Sequence, residues 1–274
     1  MAWSLLGAFA ASVCFGVATV LQAVAARRAP STPGVDPRLL VRLATQLPYL
    51  AGISLDLLGF GLELAALRSL PLFVVQAIIA ANLAVTALVA AQVMGVELTG
   101  REWAAVAVVC VGLAMLGSSA GRESAAQVSP AFRWSILGSA LLLLAAGVAA
   151  GRLTAMARAV ALGTVAGLGF GVVAIAARVL TGFAPLELLS DPAAYALAGG
   201  GAAAALFFAT ALQRGSVTAT TAAVVVAETV VPAAIGIRVL GDQTRSGWQA
   251  VCGFVLALAG TLALARFGEP PESQ

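Results

Sequence analysis

A chain of 274 residues that is 61% hydrophobic and only 10% charged is excluded from the class of soluble domains, where about 25% of residues carry charge. Its formal charge of +3 rests on arginine alone, since lysine and histidine are both absent. The lack of histidine excludes imidazole proton relays, His-ligated metal and Ser-His chemistry. Arginines at the ends of apolar stretches anchor spans in a bilayer and give no reason to expect nucleic acid as a partner.

Nine apolar segments follow one another, at about 3–26, 46–67, 70–94, 102–120, 132–150, 158–182, 192–213, 216–240 and 247–266. Each is long enough for a helix to cross a core of ~30 Å. The first has no basic residues before it and is too long for a signal-peptide core, so it reads as a retained span. Pro71, Pro130, Pro185, Pro192, Gly215 and Gly241 punctuate the breaks. Trp3, Trp103, Trp134, Trp248, Tyr49 and Tyr195 fall at segment ends, as an interfacial aromatic belt requires. The longest polar connection, 27–44, is too short to fold alone. Cys14, Cys110 and Cys252 each lie within an apolar segment and read as buried small hydrophobes without a disulfide.

The polar groups inside these segments are the candidates for chemistry. Segment 2 carries Asp56 and Glu63, seven residues apart and so on one helical face. Gly52, Gly59 and Gly61 would let another backbone come close. Two acids on one face suit a cation or proton path, or one of them pairs with Arg178. Segment 3 contributes Gln76, Asn82 and Thr86, which either line a site or bond to a neighbouring helix. Segment 6 has Gly163, Gly167 and Gly171 at GxxxG spacing, a helix-packing signature, and Gly199 to Gly201 in segment 7 read the same way.

Segment 8, SVTATTAAVVVAETVVPAAIGIRVL, places Glu228 near its middle, followed by Thr229 and then by the helix-loosening Pro232. Thr218, Thr221, Glu228 and Pro232 share a face that should look into protein or water. A carboxylate at membrane depth costs on the order of 3 kcal/mol, and intramembrane ionisable residues default to function. The structural alternative is a simple interhelical hydrogen bond.

An internal repeat emerges when residues 66–106 are set beside 211–251. Arg68 falls on Arg214, Gly95 on Gly241 and Trp103 on Trp248; upstream, Tyr49 falls on Tyr195 and Phe15-Gly16 on Phe170-Gly171. Segments 1–4 thus match segments 6–9, and Asn82 falls on Glu228. The offset of five segments inverts one repeat relative to the other, a recurring plan of secondary transporters with sites at the midplane. The chain divides into a first repeat (1–120), a connector with its loops (121–157), a second repeat (158–266) and a short tail (267–274). The arginines at 27–42 set the orientation: the N-terminus outside the cell membrane and the C-terminus in the cytoplasm.

The repeat and phrases such as ELAALRSLPLFVVQAI and RGSVTATTAAVVVAETVVPAAIG resemble the drug/metabolite transporter superfamily (EamA-like) over nearly the whole chain. The resemblance implies alternating access. Arg27-Arg28 closing segment 1, and the acid-bearing segment 2 running into Pro71, are also similar to NIPA-type magnesium transporters. In that pattern the acid follows a glycine and lies about a turn further from the proline than Glu63 does. The small multidrug carriers use a glutamate in their first helix, where this chain has only Gln22.

The expectation is an all-α integral membrane protein of about nine helices that moves a small solute, with proton coupling through Glu228 or Asp56. A divalent-cation transporter, with Asp56, Glu63 and Glu228 as ligands, is the alternative. A scaffold or lipid-handling protein is a third. No catalytic residues and no cofactor are expected, and both monomer and homodimer remain open.

Overall fold

The computed structural model describes residues 2–30, 34–67, 75, 78–79, 81–95, 98–119, 128–180, 185–235 and 246–267. Eleven helices occur among them: α1 (Ala2–Arg28), α2 (Arg38–Leu43), α3 (Leu47–Leu67), α4 (Asn82–Met94), α5 (Gly100–Ser119), α6 (Pro130–Ala150), α7 (Ala155–Val179), α8 (Pro185–Ser190), α9 (Pro192–Arg214), α10 (Val217–Ile235) and α11 (Gly247–Phe267). No strand occurs among the described residues. Six of these helices contain stretches long and apolar enough to cross a membrane: α1, α5, α6, α7, α9 and α11. The architecture is that of a multi-pass helical membrane protein.

Local signals account for several helix starts. Thr99 and Glu102 form a reciprocal capping box ahead of α5, with the Thr99 N–H donating to Glu102 Oε2 at 2.7 Å. Ser129 caps α6 by accepting from the Phe132 N–H, and Asp191 caps α9 by accepting from the Ala193 N–H. Each is followed by a proline at the first helical position, where no N–H is needed. Asp191 also pairs with Arg133 at 3.2 Å, which ties the starting ends of α6 and α9 together.

Small residues then decide which helices meet. Antiparallel α1 and α3 touch where Gly52 faces Ala18 and Gln22, and again where Gly59 faces Cys14 and Phe15. Gly61 has open space around it, so the expectation that it lets a backbone approach is corrected. The face it shares is not the one turned to α1. Helices α5 and α11 are also antiparallel, with Gly112 against Gly253 and Ala257, and Gly260 against Ala105 and Val109. Helix α7 runs antiparallel to α9 and parallel to α10, and Gly163 and Gly167 lie directly on the α10 backbone at Thr220 and Val224. Gly171 is buried one turn further on. Gly199 has open space, and Gly200 and Gly201 have only ordinary contacts, so close packing at this triplet is corrected as well. Helix α6 lies outermost, packed on α7 and α9, with Trp134, Leu141 and Leu142 exposed. Cys252 is exposed on α11, and Cys14 and Cys110 are half-buried, so the cysteines are not fully buried as expected; none of the three forms a disulfide.

Two features differ from the segment pattern. The polar connection after α1 contains α2, whose Leu39 and Leu43 are buried against α1 and α9. In segment 3, Ala81 forms a turn, its N–H donating to Ile78 O, and α4 begins only at Asn82. Continuous helix does not hold at that point. The rest of 68–80, apart from Val75, Ile78 and Ile79, lies outside the described residues, as do 236–245 and the tail beyond 267.

Candidate functional site

Among the described residues, the shortest side-chain hydrogen bond between helices joins α1 to α3. Gln22 Nε2 donates to Asp56 Oδ2 at 2.6 Å. The amide can reach because Gly52 has no side chain: a Cβ there would sit 2.9 Å from Gln22 Cγ. Gln22 is buried, whereas Asp56 is only partly so and keeps an oxygen face for a further partner. Sequence alone marks Gln22 only as the residue standing where the small multidrug carriers have a glutamate, and assigns it no place in a site. A lone amide in an apolar span, on the same face as Phe15 and Ala18, is the signal that marks it.

Glu228 projects from α10 and is exposed. It lies within electrostatic reach of both Glu63 and Asp56 on α3. No extensive packing joins α3 to α10, although α1 packs against each of them. The three acids therefore interact electrostatically, and α1 packs against both helices that carry them. Like charges so placed repel, and the repulsion is relieved by a cation or by protons. Among the described residues, no three of His, Cys, Asp and Glu converge closely enough to form a metal-ligand set. The acids share a field without forming a cage.

The other candidates divide. Thr221 is buried and bonds Val217 O within its own helix, and Thr229 does the same with Val225 O, so their hydroxyls are internally satisfied. The shared face with Thr218 is buried at its start and opens at Glu228. Pro232 lies within α10, and its side chain is outside the described set, as is that of Arg178; Gln76 lies outside the described residues altogether. Thr86 is fully buried, and its hydroxyl donates to Gly16 O at 3.4 Å. Asn82 Oδ1 is buried and has no hydrogen-bond partner among the described residues. It sits at the start of α4, beside the turn at Ala81.

Ser12 is a further residue that the sequence reading missed. It is 1% exposed, and its hydroxyl has no hydrogen-bond partner among the described residues. On α1 it lies midway between Ala8, which packs with Val75, and Gly16, which abuts Asn82 and Val85. Ser12 thus lies on the face of α1 that makes both contacts. The signal is the spacing of four shared by Ala8, Ser12 and Gly16. Buried polar atoms without partners are uncommon and call for an explanation; Ser12 and Asn82 supply two on the α1–α4 seam.

With this geometry in view, comparison against protein-family models, curated proteins and solved structures finds no match. Function is argued from the site alone.

Proposed function

We propose that the chain is a secondary transporter that moves a small solute by alternating access, with coupling through Glu228 or Asp56. The observation that supports this reading is the electrostatic interaction of Asp56, Glu63 and Glu228, contributed by α3 and α10, both of which pack on α1. Acids held at membrane depth mark ion, proton or cationic-solute paths far more often than they serve as structural groups. Among the described residues no metal-ligand set converges, which favours an organic cation or a proton over a caged divalent ion.

Nine spans in two inverted four-helix repeats, with α6 as the connector, belong to the same proposal. Helix directions support it: α1 pairs antiparallel with α3 and parallel with α4, as α7 does with α9 and α10, while α5 meets its repeat mate α11. Gly16 abuts Asn82 much as Gly167 abuts Val224 and Ala227, one turn short of Glu228. An external N-terminus, a cytoplasmic C-terminus and likeness to the drug/metabolite transporter superfamily complete the reading.

The test uses proteoliposomes loaded with a pH-sensitive dye and challenged with small organic ammonium ions or magnesium. The wild type is expected to show a solute-driven proton movement. Glu228→Gln keeps the shape of the side chain and removes its titration, so it should lower that signal about tenfold or more, a range typical of a lost proton-transfer group. An undiminished signal from the Gln variant removes Glu228 from the mechanism and leaves Asp56 as the coupling group.

A further inference from the structure

One end of the molecule is shut, and the shutting contacts cross between its two halves. The last turns of α1, α4 and α9 meet the first turn of α10 in one apolar cluster, to which Val20, Ala90, Leu212 and Val217 contribute. The chain after α1 straps this cluster from outside: Leu39 and Leu43 of α2 insert into it, and Val35 packs on Gly151 at the end of α6.

Arg27 holds the centre of this closure. Its Nε donates to Leu212 O at 3.3 Å and its Nη2 to Gly215 O at 2.9 Å. These carbonyls belong to the last turn of α9 and its cap, the negative end of the helix dipole, where a guanidinium is well placed. Arg27 makes no ion pair among the described residues, so the bond joins a charge to carbonyls and is open to exchange with water. Beside it, Gln213 Nε2 and Thr220 Oγ1 are buried without hydrogen-bond partners among the described residues. Entering water would satisfy both. The closed end therefore sets two bonds made by Arg27 and an apolar seal against two unmet polar groups, the balance expected of an element with two accessible states.

We propose that this end is a gate, closed here, with Arg27 as its latch and residues 34–46 as its strap. The proposal rests on the alternating-access reading and adds where one of the two openings lies. Opening requires α1 and α9 to part at Arg27, which would give water access first to the level of the Gln22–Asp56 pair, more than one turn inward along α1, and then to Val20 just beyond it.

The experiment uses the full chain with Cys14, Cys110 and Cys252 replaced by alanine and Val20→Cys introduced as the single thiol. Val20 is 1% exposed, so modification by a hydrophilic maleimide in detergent reports opening of this end. Adding Arg27→Ala should raise the labelling rate about tenfold or more, and Arg27→Lys, which keeps the charge but not the two-pronged reach, should raise it less. A thiol at Ala140, packed away from the gate on α6, should keep its rate in the Arg27→Ala background. An unchanged rate at Val20 in both Arg27 variants overturns the proposal. So does a parallel rise at Ala140, since Arg27 would then be holding the whole fold. Labelling needs no solute: a tenfold rise with no transport would defeat the transport reading and leave the gate standing, and an unchanged rate with intact transport would do the opposite.

Discussion

Asp56 and Glu228 are legible in the sequence because a charge inside an apolar run is costly and therefore conspicuous. Their surroundings are not legible in the same way. That Gln22 is the partner of Asp56 depends on the register of α1 against α3, which Gly52 sets by admitting the amide side chain. Spacing along one helix carries no such cross-helix information. Removing the donor tests the pair: Gln22→Leu keeps the volume but leaves the carboxylate without its hydrogen bond, so it should cost about 1–3 kcal/mol. The loss should appear as a lower melting temperature of the purified protein, with Gln22→Asn retaining part of the stability if its shorter amide still reaches. A melting temperature unchanged in Gln22→Leu would mean that the 2.6 Å contact adds nothing to the folded state.

Among the helices, the glycine spacing at 163, 167 and 171 announces a packing face, but it does not name the partner. The structure supplies α10 and grades the contacts. A Cβ on Gly167 would collide with the backbone carbonyl of Val224, which cannot yield as a side chain would, while one on Gly163 would sit 3.0 Å from Thr220 O. Gly167→Ala should destabilise by about 1–3 kcal/mol, the range for overpacking, and Gly163→Ala by less. Gly61→Ala, with open space around it, should be neutral or stabilise by up to about 1 kcal/mol through helix propensity. Thermal melts of the three variants check the order; a Gly167→Ala protein as stable as the wild type contradicts the α7–α10 seam. Helix α2 escapes a sequence reading for a different reason. Six residues, RLLVRL, are too few to display a period, and two of them are arginines. The turn at Ala81 is equally silent, because no proline or glycine marks it.

Across the whole molecule, the direction of each helix relative to its neighbours follows from glycine contacts that run up one helix and down another. Val35 against Gly151 and Arg27 against Gly215 put the ends of α1, α6 and α9 at one face. Topology reporters inserted after Gly34 and after Arg152 should therefore read the same compartment, expected to be the cytoplasm from the arginine cluster at 27–42. A reporter inserted between 121 and 127 should read the opposite one. Reporters after Gly34 and Arg152 on opposite sides would be incompatible with the strap. Counting the apolar segments along the chain already puts the ends of segments 1, 5 and 7 on one side, and landmarks at segment ends such as those in 66–106 and 211–251 go no further than direction. They did not anticipate which faces meet, because landmarks at helix ends say nothing about rotation about the helix axis.

The α5–α11 seam also has a meaning in time. Gly112 and Gly253 lie 141 residues apart in the chain, so at roughly 5–20 residues per second the ribosome needs about 7–28 s to deliver the second after the first. Throughout that interval the groove of Gly112 on α5 lacks the helix that fills it, and lipid or a foreign span can occupy it instead. Biogenesis of this chain is therefore most exposed to error between the emergence of α5 and that of α11, and a chain cut short anywhere in that interval lacks the helix that closes the groove.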